Sequence, residues 1–157
     1  LPDGVGAWSL ALIGLFNIAG SWLWGAWGGK GSKKGLLSLL YALRAAAIAV
    51  FILVPLSGAS TLVFAAAFGF LWLGTVPLTS GLVAQIFGPA YMSMLYGVVF
   101  FSHQVGSFIG AWLGGRVFDA TGSYDPIWWA SVALGIFAAL MHAPIADKPL
   151  VRAPAPA

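Results

Sequence analysis

The residues best able to do chemistry lie inside an apolar run, FFSHQVGSF, at positions 100–108. His103 and Gln104 are adjacent, and Ser107 follows His103 by one helical turn. Side chains advance by about 100° per residue, so His103 and Ser107 share a face and Gln104 is turned about a quarter away. Because ionisable groups in apolar helices are usually functional, we interpret His103 as lining a path for a polar molecule. For Gln104 and Ser107, lining that path and bonding a neighbouring helix stay equally open.

Three glycines extend the face that carries His103. Gly106, Gly110 and Gly114 form two overlapping GxxxG repeats. Small residues at this spacing let two helix backbones approach closely. We therefore predict that His103 and Ser107 lie beside a close-packing helix contact.

A proline interrupts another apolar run, in GTVPLTSG at positions 74–81. Pro77 has no N–H to donate to the carbonyl of Leu73, and its ring crowds that turn, so the helix is predicted to kink or loosen. Either the kink is static or it is a gating hinge that exposes backbone to a cavity, and we favour the hinge. Side-chain hydroxyls satisfy freed carbonyls in membrane helices, and the candidates here are Thr75, Thr79 and Ser80.

Two further polar side chains lie deep in apolar runs. Asn17 is near the middle of the first run, where it can reach a substrate or bond a neighbouring helix, and we favour the second role. Arg44 is the one formal charge deep inside a predicted span, and no acid lies within the spans to pair with it. An anionic ligand is one explanation, but we favour snorkelling to the headgroups or a structural partner.

Much catalytic chemistry has no residues to perform it. The chain has no glutamate and no cysteine, and its four acids are aspartates outside the predicted spans. Paired carboxylates for acid–base catalysis are therefore lacking. Two distant histidines do not form a metal site. We expect no cofactor, no metal and no enzymatic activity.

The composition indicates the kind of structure that positions these residues. Hydrophobic residues make up 61% of the chain and charged residues 7%, against about 25% charged in soluble domains. Such a surface needs lipid around it, and a spanning helix needs about 20 apolar residues. The sequence predicts an all-α, polytopic transmembrane bundle (residues 1–146) with five spans, at positions 7–28, 35–55, 60–87, 94–118 and 126–145.

Basic residues predict the orientation of these spans. Short links make successive helices antiparallel, so five basic residues fall on one side and Arg116 alone on the other. Cationic loops stay in the cytoplasm, which places the N-terminus outside and a disordered tail, 147–157, inside. We expect the lipid bilayer as a partner and no nucleic acid, because the positive charges are few and scattered. The chain begins without methionine and looks like part of a longer protein.

Three segments resemble a known family: GAWGGKGSKKGLL (25–37), GFLWLGTVPLTSGLVAQIFG (69–88) and SHQVGSFIGAWLGGRVFDATGSYDPIWW (102–129). They resemble the C-terminal half of major facilitator superfamily transporters, nearest to bacterial members around the oxalate/formate antiporters and monocarboxylate porters. On this resemblance the spans correspond to helices 8–12 of twelve. Helix 7 and the N-terminal half of the same protein are then missing partners in the inner membrane.

A glycine-rich basic segment resembles the family's cytoplasmic loop between helices 8 and 9. The family pattern places an aspartate where this chain has Gly29, and a glycine where it has Ser32. The charge-relay role of that aspartate is therefore lost here, although the loop still suits an anchor beside anionic lipid. The matching positions are Gly25, Lys30, Lys33 and Lys34.

The resemblance implies a secondary transporter working by alternating access, with a small-molecule substrate bound between the two halves near the midplane. The spans carrying Asn17, Pro77 and His103 would then face or flank that cavity. A small organic anion, such as a monocarboxylate, is the substrate class that the resemblance favours. The alternative is a small integral membrane protein that acts as a structural or partner-binding subunit without transport activity of its own.

Overall fold

The computed structural model describes residues 2–150, and within them every regular element is a helix. The predicted all-α transmembrane bundle is confirmed. The six helices in chain order are α1 (Val5–Lys30), α2 (Lys33–Leu53), α3 (Gly58–Trp72), α4 (Thr75–Phe87), α5 (Pro89–Thr121) and α6 (Asp125–His142).

Four segments of the described chain are long and apolar enough to cross a membrane: α1, α2, α3 with α4 counted together as Gly58–Phe87, and α5. Helix α6 coincides with the fifth predicted span, but at 18 residues it is not among those four. Five membrane crossings therefore remain a prediction.

Local signals in the sequence set the helix ends. The Ser32 side chain accepts a hydrogen bond from the Gly35 amide at the start of α2. A reciprocal pair of bonds between Ser57 and Ser60 caps α3. Gly88 has a φ of 85°, a conformation open to glycine, and it separates α4 from α5. These breaks let five apolar runs fold back on one another.

Helices α1 and α3 cross where two glycines meet the opposite backbone. A Cβ atom on Gly69 would lie 2.7 Å from the Cα of Ile13, and one on Gly20 would overlap the carbonyl of Phe70. Only glycine allows this approach, so the α1–α3 contact is made by backbone against backbone.

Two apolar clusters hold the remaining helices. The larger one joins α1, α2, α3 and α4 and contains the buried residues Trp24, Leu37, Leu40, Leu71, Leu78 and Leu82. The smaller one joins α2 to α6 through Ala45, Ile48 and Val132. Helix α5 lies largely outside both, because Gly114 is its one buried residue.

Candidate functional site

The third span is broken in the middle, as Pro77 predicts. Helix α3 ends at Trp72 and α4 begins at Thr75. In a continuous helix the Leu73 carbonyl would accept a bond from residue 77, which as proline has none to give. The carbonyl accepts instead from the Val76 amide at 3.0 Å, a tighter turn than an α-helix makes. The break therefore precedes the proline by one turn.

Glycine is required at the break because two neighbouring helices press on it. A Cβ on Gly74 would lie 2.5 Å from the ring of Trp24 and 2.8 Å from the side chain of Leu40. Trp24 belongs to α1 and Leu40 to α2, so the break is sandwiched between these helices. A larger residue would push one of them away.

Polar side chains from both neighbouring helices bond the backbone at the break. The Nη2 atom of Arg44, on α2, donates to the carbonyls of Leu71 and Trp72, at 2.7 Å each. On the opposite side, the Oδ1 atom of Asn17 on α1 accepts a hydrogen bond from the Leu73 amide at 3.0 Å. Of the explanations considered for Arg44, the structure shows a structural partner, and that partner is backbone rather than a carboxylate.

An open groove of about 740 Å³ lies beside the break on the α1 side. Its polar contributors are Asn17 and Ser21, and the Ser21 hydroxyl already donates to the Asn17 carbonyl at 2.7 Å. Within the described part of the chain the Asn17 amide nitrogen has no partner, so it is free to donate to a molecule in the groove. The full lining is Gly14, Asn17, Ile18, Ser21, Trp22, Leu73, Val76 and Pro77.

The other polar candidates of the third span lie just past the break and outside the groove lining. The Ser80 hydroxyl donates to the carbonyls of Val76 at 2.9 Å and Pro77 at 3.3 Å. Thr79 is half-buried. Of the three hydroxyls considered for the freed carbonyls, Thr75 bonds nearest the break, donating to Trp72 at 3.2 Å. The substrate-path role of Thr79 and Ser80 stays a prediction.

The His103 group is not brought together with Asn17. His103, Gln104 and Ser107 are all exposed on α5, and no α5 residue lines the groove. The Ser107 hydroxyl donates to the His103 carbonyl at 3.0 Å, within its own helix. No described atom lies within 4 Å of a Cβ built on any of the three stripe glycines, Gly106, Gly110 and Gly114. The close contact predicted for this stripe would therefore need a partner from elsewhere.

Two of the basic loop residues are joined to the segment that follows α6. The Lys33 ammonium donates to the Gln85 side-chain oxygen at 2.9 Å, and the Gln85 amide donates to the Asp147 carbonyl at 2.7 Å. Lys34 donates to the Ile145 carbonyl at 2.8 Å and lies 3.7 Å from the Asp147 carboxylate. We name this set, Lys33, Lys34, Gln85, Ile145 and Asp147, the end network.

The end network was missed from the sequence. The sequence predicts a disordered tail at 147–157 and gives no signal for the bonds of Gln85. Within that predicted tail, the Asp147 carbonyl accepts from Gln85, the Asp147 carboxylate pairs with Lys34, and the Leu150 amide donates to the Ile86 carbonyl at 2.9 Å. Positions 151–157 of that tail lie outside the described residues.

The other two loop-motif residues have separate environments. Gly25 faces Pro77, since a Cβ at this glycine would lie 3.4 Å from the proline ring. Lys30 is exposed. No group of three or more His, Cys, Asp or Glu side chains that could hold a metal ion occurs within residues 2–150.

A bacterial protein described as a transporter is similar to this chain. The uncharacterized MFS-type transporter YcxA of Bacillus subtilis (strain 168) is 29% identical over 147 residues, which cover 88% of this chain. This similarity supports membership of the major facilitator superfamily. The chain spans 36% of the length of that relative. No protein-family model matches the chain, and no solved structure matches it.

Similarity to a major facilitator superfamily transporter fits what the helices show. The chain is a multi-pass membrane protein with several apolar helices. Its polar side chains at mid-span meet at an interrupted helix beside an open groove. Irregular backbone at membrane depth is tolerated where it is buried in protein or lines a cavity, and here it does both.

Proposed function

We propose that the chain is part of a secondary active transporter that moves a small solute across the cytoplasmic membrane by alternating access. The observation that carries this proposal is the interrupted third span beside the groove, read with the similarity to an MFS-type transporter. Discontinuous membrane helices commonly form the solute sites of transporters, because their unwound backbone supplies polar groups at the midplane.

We propose that the groove beside Asn17 is one wall of the solute path. The free amide nitrogen of Asn17 is a hydrogen-bond donor, and Leu73 and Pro77 line the same groove. The remaining lining is apolar apart from Ser21, as is common in small-molecule sites where a few polar groups fix the orientation.

We propose a small organic anion, such as a monocarboxylate, as the solute. Donors suit a carboxylate, and the donor groups on the candidate path are the Asn17 amide, His103 and Gln104. Helices α1 to α4 contain no acid that would repel an anion. The nearest fixed positive charge along the break is Arg44, although its Nη2 atom is occupied by backbone carbonyls.

The exposed apolar face of α5 supports the proposal that another part of the protein covers it. Its large apolar side chains, such as Phe101 at 70% and Phe108 at 72% exposure, lie on the helix that carries His103 and the glycine stripe. We propose that the N-terminal half of the same transporter covers this face and closes the solute path from the other side. A partner-binding subunit without transport activity would present such a face too, and a transport assay separates the two.

The proposed orientation places the N-terminus outside and the C-terminal segment in the cytoplasm. The end network supports one shared side for the α1–α2 link and the chain end, because it joins Lys33 and Lys34 to Asp147. Residues 1–157 contain no cysteine, and with any cysteine elsewhere in the full-length protein replaced by serine, single cysteines report their side without background. In intact cells, an impermeant thiol reagent should label Ser123→Cys, in the α5–α6 link, and spare Gly29→Cys.

The test of the function is counterflow in proteoliposomes that contain the full-length protein. Saturable exchange of one radiolabelled acid, from a panel of monocarboxylates and dicarboxylates, is the expected result. Asn17→Asp keeps the oxygen that accepts from Leu73 but removes the free donor and adds an acidic group. That variant should lose exchange of the acid, whereas Ser9→Ala, on the same helix and away from the groove, should keep it.

The possible outcomes test the solute class, the transport activity and the role of Asn17 separately. Exchange of neutral sugars but of no acid would remove the organic anion and leave the transporter. Exchange of no solute by a folded, full-length protein would contradict transport and favour the partner-binding subunit. Unchanged acid exchange in Asn17→Asp would remove Asn17 from the path.

A further inference from the structure

We propose that Arg44 is a positioning residue that holds the third span in its broken form and thereby sets the direction of α4. It does so by donating to the two carbonyls that the break leaves at the end of α3. This role goes beyond the proposed transport activity. It rests on that activity in one respect, namely that a movement of α4 would be part of alternating access.

The location of Arg44 requires partners inside the protein. Arg44 lies in the middle of α2, a segment apolar enough to span the membrane. A charged side chain there is unfavourable unless it finds partners inside the protein. The only acidic side chain in an ion pair among residues 2–150 is Asp147, at the chain end, so Arg44 has no carboxylate partner there. Its two shortest contacts are with backbone carbonyls.

The carbonyls of Leu71 and Trp72 have lost the donors that they would have in an unbroken helix. In an unbroken helix the carbonyls of Leu71 and Trp72 accept from the amides of residues 75 and 76. The Val76 amide is turned to the Leu73 carbonyl instead. Arg44 supplies donors to these carbonyls, each at 2.7 Å, and the Thr75 hydroxyl donates a further bond to Trp72. A carbonyl without a helical donor gains more from such a bond than one that already has a donor, so Arg44 favours the broken form.

The guanidinium is itself held in place. Its central carbon lies 5.3 Å from the centre of the Tyr41 ring, one turn earlier on α2. Its Nε atom is buried with no hydrogen-bond partner among the described residues. The two bonds from Nη2 to the break are therefore the hydrogen bonds that orient the guanidinium among the described residues.

The break is held from the other side as well. The Leu73 amide, next in the chain after the two carbonyls, donates to Asn17 on α1. Helices α1 and α2 thus hydrogen-bond three consecutive residues, 71–73, from opposite sides. Helix α4 follows these residues and is 13 residues long, or about 20 Å. A rotation of α4 by about 20° at the break therefore moves its far end by about 7 Å.

Spin-label distances measure that pivot directly. Residues 1–157 contain no cysteine, and any cysteine elsewhere in the full-length protein is first replaced by serine, so pairs can be introduced cleanly. The first pair, Gly29→Cys with Phe87→Cys, joins the ends of α1 and α4, and a side chain at Gly29 meets open space. The second pair, Leu10→Cys with Val63→Cys, joins exposed positions of α1 and α3 before the break and serves as the reference.

Three arginine variants are compared in the full chain in lipid nanodiscs. Arg44→Met removes the donors but keeps an apolar stem. Arg44→Lys restores donors, because both bonds come from a single nitrogen and an ammonium carries three N–H groups on one nitrogen. Arg116→Met is the matched control, since Arg116 is exposed on α5.

We expect Arg44→Met to change the population ratio of pivoted to unpivoted α4 by roughly ten- to hundredfold, the range for hydrogen bonds to charged groups. The first distance should shift or broaden, and the reference distance should not. Arg44→Lys should return the first distance toward that of the unmutated chain, and Arg116→Met should leave both unchanged. An unchanged first distance in Arg44→Met, or no recovery in Arg44→Lys, would overturn the proposal.

If Arg44→Met folds poorly, a comparison of stabilities in the Pro77→Ala background still tests the role of Arg44. Pro77→Ala supplies the amide that an unbroken helix needs, so the broken form is no longer enforced and the Leu71 and Trp72 carbonyls can regain helical donors. The loss of stability caused by Arg44→Met should then be smaller in the Pro77→Ala background. An equal loss in both backgrounds would mean that Arg44 does not act through the break.

The transport assay and the spin-label distances test the two proposals independently. If no solute is exchanged by any variant, the transport proposal fails and the distance measurements still decide the role of Arg44. If transport is found and the distances do not respond, the role of Arg44 fails and the transporter stands.

Discussion

Replacing one glycine at the α1–α3 crossing is expected to destabilise the protein, although alanine is the better helix former. In Gly69→Ala the new carbon would lie 2.7 Å from the Ile13 Cα and 2.6 Å from its carbonyl oxygen. Carbon atoms pack at about 3.5–4.0 Å, so the two backbones must separate by about 1 Å.

The magnitude follows from two opposing contributions. Overpacking destabilises proteins by about 1–3 kcal/mol, and we expect about 3 kcal/mol here because backbone cannot rotate away from the clash. Alanine's higher helix propensity returns about 1 kcal/mol. The net expectation for Gly69→Ala is a free energy of unfolding lowered by about 2 kcal/mol, and Gly20→Ala should behave similarly because it meets the Phe70 carbonyl.

The assay is reversible unfolding in mixed micelles of increasing sodium dodecyl sulfate, followed by tryptophan fluorescence. Gly14→Ala is the matched control on α1, because no atom lies within 4 Å of its Cβ position. It should leave stability unchanged or raise it by up to about 1 kcal/mol. If Gly20→Ala and Gly69→Ala gave the same result as Gly14→Ala, the close crossing would be refuted.

The remaining predictions concern other contacts, measured by the same unfolding assay. Gln85→Leu removes the bonds to Lys33 and to the Asp147 carbonyl and should lower the free energy of unfolding by about 1–3 kcal/mol. Phe64→Ala removes the central ring of an aromatic cluster, which lies 4.2 Å from the Phe51 ring. Because Phe64 is half-buried, the substitution should lower the free energy of unfolding by about 1–3 kcal/mol. Increasing salt should weaken the part of the end network that depends on charge, since its ion pair is partly exposed.

One exposed residue of the same type as Phe64 serves as the control for these predictions. Phe137→Ala alters a position of α6 that is 58% exposed and lies outside the α5 face assigned to the missing half. It should change stability by less than about 0.5 kcal/mol. A loss as large as those of Gln85→Leu and Phe64→Ala would show that the variants act through a general effect on membrane helices.

The sequence predicted the elements well where one local property decides them. Continuous apolar runs located the helices, and the missing amide of Pro77 located the interruption of the third span within one turn. Both features depend on backbone hydrogen bonding in a medium without water, which is a constraint visible in a single sequence.

Partners between helices were harder to predict. The glycine repeat at Gly106, Gly110 and Gly114 has the spacing of a packing motif, yet the backbone contact in the described chain is made by Gly20 and Gly69, which lie on different helices. Spacing along one helix identifies a face that permits close approach, but it does not identify the helix that approaches.

The surroundings of Arg44 and Gln85 illustrate the same limit. A search for an acid near Arg44 could not succeed, because its partners are main-chain carbonyls 27 and 28 residues later, which every residue possesses. Gln85 binds Lys33 and the Asp147 carbonyl, 52 and 62 residues away. Contacts at such separations depend on the three-dimensional arrangement of helices and leave no local pattern.

The distance along the chain between Arg44 and its partners has a consequence for how the protein is made. Helix α2 leaves the ribosome before residues 71 and 72 do, so when it reaches the translocon its guanidinium has no carbonyls to bind. Release of a lone arginine helix from the translocon into lipid is unfavourable by about 2.5–3.5 kcal/mol for the charge. We expect α2 to wait at the translocon and enter the bilayer together with the third span. Glycosylation mapping of nascent chains truncated before and after the third span has left the ribosome would show α2 integrating efficiently in the longer chains alone, and Arg44→Leu would remove the difference.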